Sequence, residues 1–159
     1  MKSRDLQTLW WDWLGTSERL LRSLYEQTAA LTLRDVARVE RIQPELDSHL
    51  ERLRKIDEQA VACAMKLAEE LGTESTLRSM LQALEKAEAQ QVQGLANRVT
   101  VAARNVQDVL RKNRALLDNE MTYINGTLTL IAKVSQDANK YGRSGRAVVR
   151  TSVTVDTAA

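Results

Sequence analysis

The side chains best suited to chemistry are one histidine, one cysteine and several neighbouring carboxylates, all within stretches of helical pattern. His49 has no Asp or Glu three residues away, the spacing that helical metal sites use. Cys63 lies in the Ala-rich stretch "AVACAM", where a buried, inert thiol is expected rather than a nucleophile. Carboxylates such as Glu69 and Glu70 fit a solvated helix face. We therefore predict that the protein is not an enzyme.

The stretch "GRSG", residues 142–145, has the glycine content of a phosphate-binding loop. A phosphate loop also needs a preceding strand, a following helix and a Gly-Lys-Ser/Thr ending, and none of these is present. The sequence therefore predicts no cofactor and no metal.

The composition is typical of long helices. The chain of 159 residues has no Phe, one Pro and six Gly. Its 23 basic and 21 acidic residues are interspersed, so no basic field indicates nucleic acid. No stretch approaches the roughly 18 consecutive apolar residues of a membrane span, and stable membrane insertion is not expected. A single cysteine and the absence of a secretory signal pattern favour a cytoplasmic location.

Apolar residues recur at helical spacing from about residue 4 to residue 71, which predicts a first helical arm. Residues 32–35 cap or locally loosen this arm. Pro44 either kinks it or begins a new helix, and we favour the kink. In the turn expected at residues 71–75, Gly72 suits a left-handed helix end and Thr73 suits the start of the next helix.

One unbroken helical pattern then runs from about residue 75 to residue 139. The apolar seam of its first half has coiled-coil spacing and would pack antiparallel on residues 36–67. The expected fold class is therefore all-α: an elongated antiparallel helical hairpin or coiled-coil-like bundle with a long C-terminal helix. We expect a single helical domain over residues 1–141 and a flexible tail over residues 142–159.

The second half of the long helix has two apolar stripes, about 100° apart on a helical wheel. The first consists of Leu110, Leu117, Met121, Ile124, Leu128 and Ile131, and the second of Val109, Leu116, Tyr123, Leu130 and Val134. One antiparallel neighbour cannot cover both stripes. Either the N-terminal segment bends at Gly15, Thr32 or Pro44 and packs Trp10 and Trp13 there, or the surplus stripe binds an amphipathic helix of another protein.

The stretch "TLWWDWL", residues 8–14, contains all three tryptophans. Trp10 and Trp13 share one helix face and are expected in the core. Trp11 points elsewhere and is expected to be an exposed contact. Asp12 and Glu18 lie among these residues, which disfavours a membrane-surface helix.

The chain resembles the FlgN family of flagellar type III export chaperones over nearly its whole length. That family carries an Asn-x-x-Leu-Leu or Asn-x-x-Leu-Ile element, then a helix with tyrosine and leucine, then a Tyr-Gly-x-x-Gly close. The matching positions are Asn113, Leu116 and Leu117, then Tyr123, Ile124 and Leu128, then Tyr141, Gly142 and Gly145. The chain departs from the family in having Leu110 where a second asparagine is usual, and in its tryptophan cluster.

The resemblance implies a cytoplasmic chaperone without a cofactor. It would bind the C-terminal helical region of hook-associated proteins, the hook-filament junction subunits, prevent their premature assembly and deliver them to the membrane export gate. We expect the client to bind the final helix through Leu116, Leu117, Met121, Tyr123, Ile124, Leu128, Leu130 and Ile131, with Met121 and Ile124 shared between core and client. Tyr141 either docks on the export gate or only packs against the helix end.

A second hypothesis is a structural adaptor protein that self-associates through the same stripe. A chaperone with a transient helical client would form at most a weak homodimer, whereas a scaffold would form a tight oligomer. Self-association therefore separates the two hypotheses.

Overall fold

The protein is all-α. The computed structural model describes the backbone of residues 1–141 and all of their side chains except those of 123, 124, 127, 135 and 137–141. The tail expected over residues 142–159 lies outside the described residues. The described backbone forms four helices: α1 (Arg4–Thr32), α2 (Val36–Leu71), α3 (Leu77–Ala83) and α4 (Lys86–Tyr141).

The chain reverses direction between α1 and α2, which pack against each other. The N–H of Asp35 donates to the carbonyl of Ala30, and the N–H of Arg34 donates to that of Leu31, which together form a Schellman motif. Arg34 adopts the left-handed conformation at φ 53°. The Asp35 carboxylate then accepts a hydrogen bond from the N–H of Arg38 and caps α2. The bend expected at Gly15, Thr32 or Pro44 therefore follows Thr32 and is a sharp turn, not a loosening of one arm.

Pro44 lies inside α2, which is continuous through it, so Pro44 does not begin a new helix. α2 ends as predicted, with Gly72 in the left-handed conformation at φ 66°. Thr76, not Thr73, caps the next helix by accepting a hydrogen bond from the N–H of Ser79.

The expectation of one unbroken helix from residue 75 to residue 139 is wrong. Leu84 has an extended backbone with ψ 156°, which ends the seven-residue α3, and α4 begins at Lys86. Because of the break, α3 and α4 make separate contacts with the rest of the unit. Met80 of α3 is buried against Leu6 and Leu67, whereas the first turn of α4 is hydrogen-bonded to the start of α1.

The chain forms two compact units, the first of which is Met1–Leu117. The single helical domain expected over residues 1–141 stays a prediction. The first unit contains α1, α2, α3 and the first part of α4. Its larger core cluster consists of Trp13, Leu20, Leu24 and Ala30 of α1, Ile42, Leu46, Leu53 and Ile56 of α2, and Val106 of α4. Residues of α1, α2 and α4 therefore share this core, and its third helix is α1.

Candidate functional site

α4 runs parallel to α1 and is joined to it by two groups of polar contacts. At the start of α4, Oε1 of Glu88 accepts hydrogen bonds from the N–H of Ser3, at 2.7 Å, and from its hydroxyl, at 2.6 Å. These bonds, led by that of the hydroxyl, hold the pKa of the Glu88 carboxyl below its ordinary value. The second group includes a hydrogen bond between Thr28 and Asn113, which are 85 residues apart, as are Ser3 and Glu88. Because the later residue of α1 pairs with the later residue of α4 at the same separation, the two helices are parallel.

Asn113 is almost completely buried, with 2% of its surface exposed. Its amide nitrogen donates to the carbonyl of Leu24 and to Oε1 of Gln27, each at 2.9 Å. Its amide oxygen accepts a hydrogen bond from the Thr28 hydroxyl at 2.5 Å. Both ends of the amide are therefore bonded to the last turns of α1, which ends four residues after Thr28.

The predicted client-binding residues lie on α4, after Asn113. Leu116 is half-buried, and Leu117 is exposed. The other large apolar side chains described in this part of α4 are also exposed: Met121, Leu128, Leu130, Ile131 and Val134. Met121 is 53% exposed, and its expected sharing between core and client stays a prediction. The helix therefore presents apolar side chains to solvent where we expected a partner to bind.

Three predicted site residues have side chains outside the described residues. Tyr123 and Ile124 lie within α4 by their backbone, and Tyr141 is its last residue. Their predicted roles remain predictions.

The comparison with protein-family models matches residues 1–148 to the family described as FlgN protein. The chain belongs to the FlgN family. Membership implies a role as a flagellar export chaperone, which confirms the family inferred from the Asn-x-x-Leu-Leu and Tyr-Gly-x-x-Gly elements. Neither a curated protein nor a solved structure matches the chain.

The tryptophan cluster of this FlgN protein belongs to the first unit. Trp13 is buried in the larger core cluster, and Trp10 packs partly buried against the smaller one. Trp11 is 54% exposed, and the guanidinium of Arg98 lies 5.5 Å from its ring centroid, a cation–π contact. Trp13 therefore lies in the core, Trp10 is only partly buried at its edge, and Trp11 is exposed. Trp13 shares its core cluster with Val106 of α4. Val106 precedes Asn113, whereas the exposed apolar residues of α4 described above follow Asn113.

The residues that first suggested chemistry have ordinary structural surroundings. Nε2 of His49 lies 3.5 Å from a carboxylate oxygen of Glu45, one helical turn earlier. Cys63 is half-buried, and burial raises the pKa of its thiol, which disfavours the reactive thiolate. In the part of the chain that the structure describes, no group of three or more His, Cys, Asp or Glu residues could hold a metal ion.

Among the described residues, no helix is long and apolar enough to cross a membrane. A shallow groove of about 470 Å³ runs between α1 and α4 on the surface of the first unit. Leu14, Leu21 and Val101 contribute apolar surface to it, and Glu18 and Arg98 contribute charges. It is a second surface of mixed character, which the sequence did not indicate.

Sequence reasoning missed the polar contacts of α4 with α1. Asn113 follows Val106 by seven residues, so it falls on the seam that the coiled-coil pattern had defined. A polar residue on a seam was the available signal. No comparable signal indicated that Glu88 would bind Ser3, because charged residues are common in the first turn of any helix.

Proposed function

We propose that this FlgN-family chaperone acts in the cytoplasm and binds the C-terminal helical region of hook-associated proteins on the second half of α4. One observation carries the proposal: after Asn113, α4 continues with large apolar side chains exposed to solvent. Leu130 and Ile131, at 61% and 57% exposure, are the clearest examples. A long helix with such a surface is suited to a partner that covers it.

An amphipathic helix of the client is the partner that fits this surface. Apolar residues three and four positions apart on α4 would pack against the apolar face of the client helix. A client segment that is disordered before assembly can fold into such a helix as it binds. Covering that face would keep the client from assembling prematurely.

Delivery to the membrane export gate is the second part of the proposal. Tyr141 is the last residue of α4 and precedes Gly142, within the Tyr-Gly-x-x-Gly element. An aromatic ring at a helix end can enter a groove of another protein with little loss of conformational entropy. We assign this docking role to Tyr141.

The test of client binding is the variant Leu130→Glu, with Val61→Glu as its control. Val61 of α2 is 60% exposed, so both variants place a charge at an exposed apolar position of a helix. Losing the burial of one leucine costs about 2 kcal/mol, or roughly 30-fold in affinity. We expect this loss for Leu130→Glu in calorimetry with a C-terminal fragment of a hook-associated protein, and unchanged affinity for Val61→Glu.

Circular dichroism of both variants shows whether the helices are retained. Equal affinity of Leu130→Glu and the unmodified protein would show that the client binds elsewhere.

Exposed apolar residues on α4 also support the second candidate, a self-associating structural adaptor. Sedimentation over a range of concentrations separates the two functions. The chaperone should be a monomer or a weak dimer that the client fragment dissociates. A tight oligomer that the fragment leaves intact would favour the adaptor.

A further inference from the structure

We propose that Asn113 is a positioning residue, which fixes the register of α4 against α1 and thereby determines which part of α4 is available to the client. The statement about the client rests on the function proposed above. The statement about register rests on the contacts of the Asn113 amide alone. These contacts are with Leu24, Gln27 and Thr28, all near the end of α1.

The apolar part of the seam does not define one register by itself. Val92, Val99 and Val106 are spaced by seven residues and continue to Asn113. If α4 slipped by seven residues along α1, two of these three valines would occupy the place of another valine, and the buried positions between them would keep their apolar character. The repeat therefore leaves at least two similar arrangements.

Glu88 distinguishes these arrangements at the start of α1 through its bonds to Ser3, and Asn113 distinguishes them near the end of α1, where it alone satisfies the polar groups at its level. A slip in one direction would place Val106 there and leave the buried Gln27 without its amide partner. A slip in the other direction would place the Glu120 carboxylate beside the Gln27 side chain and the Leu24 carbonyl, and the carboxylate cannot donate to either oxygen. Buried polar groups without partners are unfavourable, so the native register is selected.

The register has a direct consequence for the client surface. Leu117 lies seven residues after Leu110, which is partly buried against the larger core cluster. A slip that brought Glu120 to the level of Asn113 would bring Leu117 to the level of Leu110, where it would be partly covered. The native register keeps Leu117 exposed.

The test is the variant Asn113→Leu, studied in the full chain by amide NMR and by binding of a C-terminal fragment of a hook-associated protein. We expect the variant to remain helical and to show two or more sets of amide signals for Val92, Val99 and Val106, one for each register. Affinity for the fragment should fall about twofold for each halving of the native-register population. The control is Val106→Ala, which removes apolar packing from the same seam and should keep one set of signals.

A single set of signals in Asn113→Leu, with the native contacts between α1 and α4, would overturn the proposal. If Asn113→Leu does not fold, Asn113→Ala is judged by the same signals, and one native set again overturns it. The two proposals are tested by different measurements. If the unmodified protein fails to bind the fragment, the proposed function is wrong. The number of amide signals in the variants still decides whether Asn113 fixes the register.

Discussion

At the scale of single residues, the first unit depends on two polar side chains of α4 that contact α1. Glu88 accepts both hydrogen bonds of Ser3, and Asn113 bonds to three residues near the end of α1. Both side chains are buried, so their hydrogen bonds compensate for lost hydration. Their hydrogen bonds favour one register of α4 against α1, whereas the apolar seam repeats every seven residues.

Replacing Glu88 with glutamine should destabilise the protein by about 1 kcal/mol at pH 7, because a charged acceptor is exchanged for a neutral one. The folded-state pKa of Glu88 lies below its ordinary value of about 4.5. Its contribution to the free energy of unfolding is therefore fully present above pH 4.5 and is lost as the pH falls through the lower, folded-state value. Urea unfolding at several pH values measures this.

Glu74→Gln is the control for this prediction, since Glu74 is exposed in the turn between α2 and α3. We expect the stability of Glu74→Gln to depend on pH in the same way as that of the unmodified protein. A Glu88→Gln variant with the same pH dependence as the unmodified protein would show that the contact with Ser3 contributes nothing.

The variant Tyr141→Ala should keep its thermal stability and its affinity for a hook-associated fragment, and should lose binding to the cytoplasmic domain of the export gate. The physical reason is that an alanine cannot fill the groove that an aromatic ring would occupy. A pull-down with the gate domain measures the effect, with Tyr25→Ala, a change of an exposed tyrosine on α1, as the control. Unchanged gate binding would leave Tyr141 as a helix-end packing residue.

The candidate site was only partly predictable at this scale. A helical wheel identifies Leu128, Leu130 and Ile131 because periodic apolar residues without enough neighbours must lie exposed or meet a partner. The same wheel places Asn113 on the apolar seam but does not identify its partners, which are 85 to 89 residues away in sequence. Long-range polar contacts of this kind leave no periodic pattern.

At the scale of elements, the two reversals before and after α2 use the same hydrogen-bond motif with different residues. The N–H of Thr73 donates to the carbonyl of Ala68, and that of Gly72 to Glu69, which repeats the pattern found after α1. Gly72 occupies the left-handed position after α2, whereas Arg34 occupies it after α1. Gly72 made the turn after α2 predictable from sequence. Arg34 gave no such signal for the turn after α1, because a non-glycine residue rarely adopts the left-handed conformation.

Replacing Gly72 with alanine should destabilise the protein by about 1 kcal/mol, because alanine is unfavourable at φ 66°. No atom lies within 4 Å of a Cβ added at Gly72, so the cost is purely one of backbone conformation. Thermal unfolding measures the change.

The matched control is Gly94→Ala, in the helical conformation of α4 and again with nothing within 4 Å of the added Cβ. It should stabilise the protein by about 0.5 to 1 kcal/mol through helix propensity. Effects of the same sign in the two variants would contradict the assignment of Gly72 as a left-handed helix end.

The break between α3 and α4 shows the limit of helical periodicity. Residues 74–106 keep an apolar repeat, and neither Gly nor Pro marks residues 84 and 85. The break exists because Met80 packs near Leu6 while Glu88 bonds to Ser3, and these contacts form only in the folded protein. Tertiary packing overrides local propensity at such positions.

At the scale of the whole molecule, apolar residues are distributed unevenly along α4. In the first unit, Val92, Leu95 and Val106 are buried, so this part of the helix has the partners it needs. From Leu117 to Val134, the large apolar side chains that the structure describes are exposed. A helix segment without buried apolar contacts has low local stability, and its amide hydrogens should exchange faster than those of the first unit.

Hydrogen exchange with and without a C-terminal fragment of a hook-associated protein tests the central claim most directly. We predict that the fragment slows exchange at least about tenfold in peptides covering residues 117–134, since a covering helix supplies the packing that this segment lacks. Peptides from the surface of α2 that includes Val61 and Met65 should be unchanged. Slower exchange confined to the α1–α4 groove around Leu14 and Val101, or no change in residues 117–134, would contradict the account.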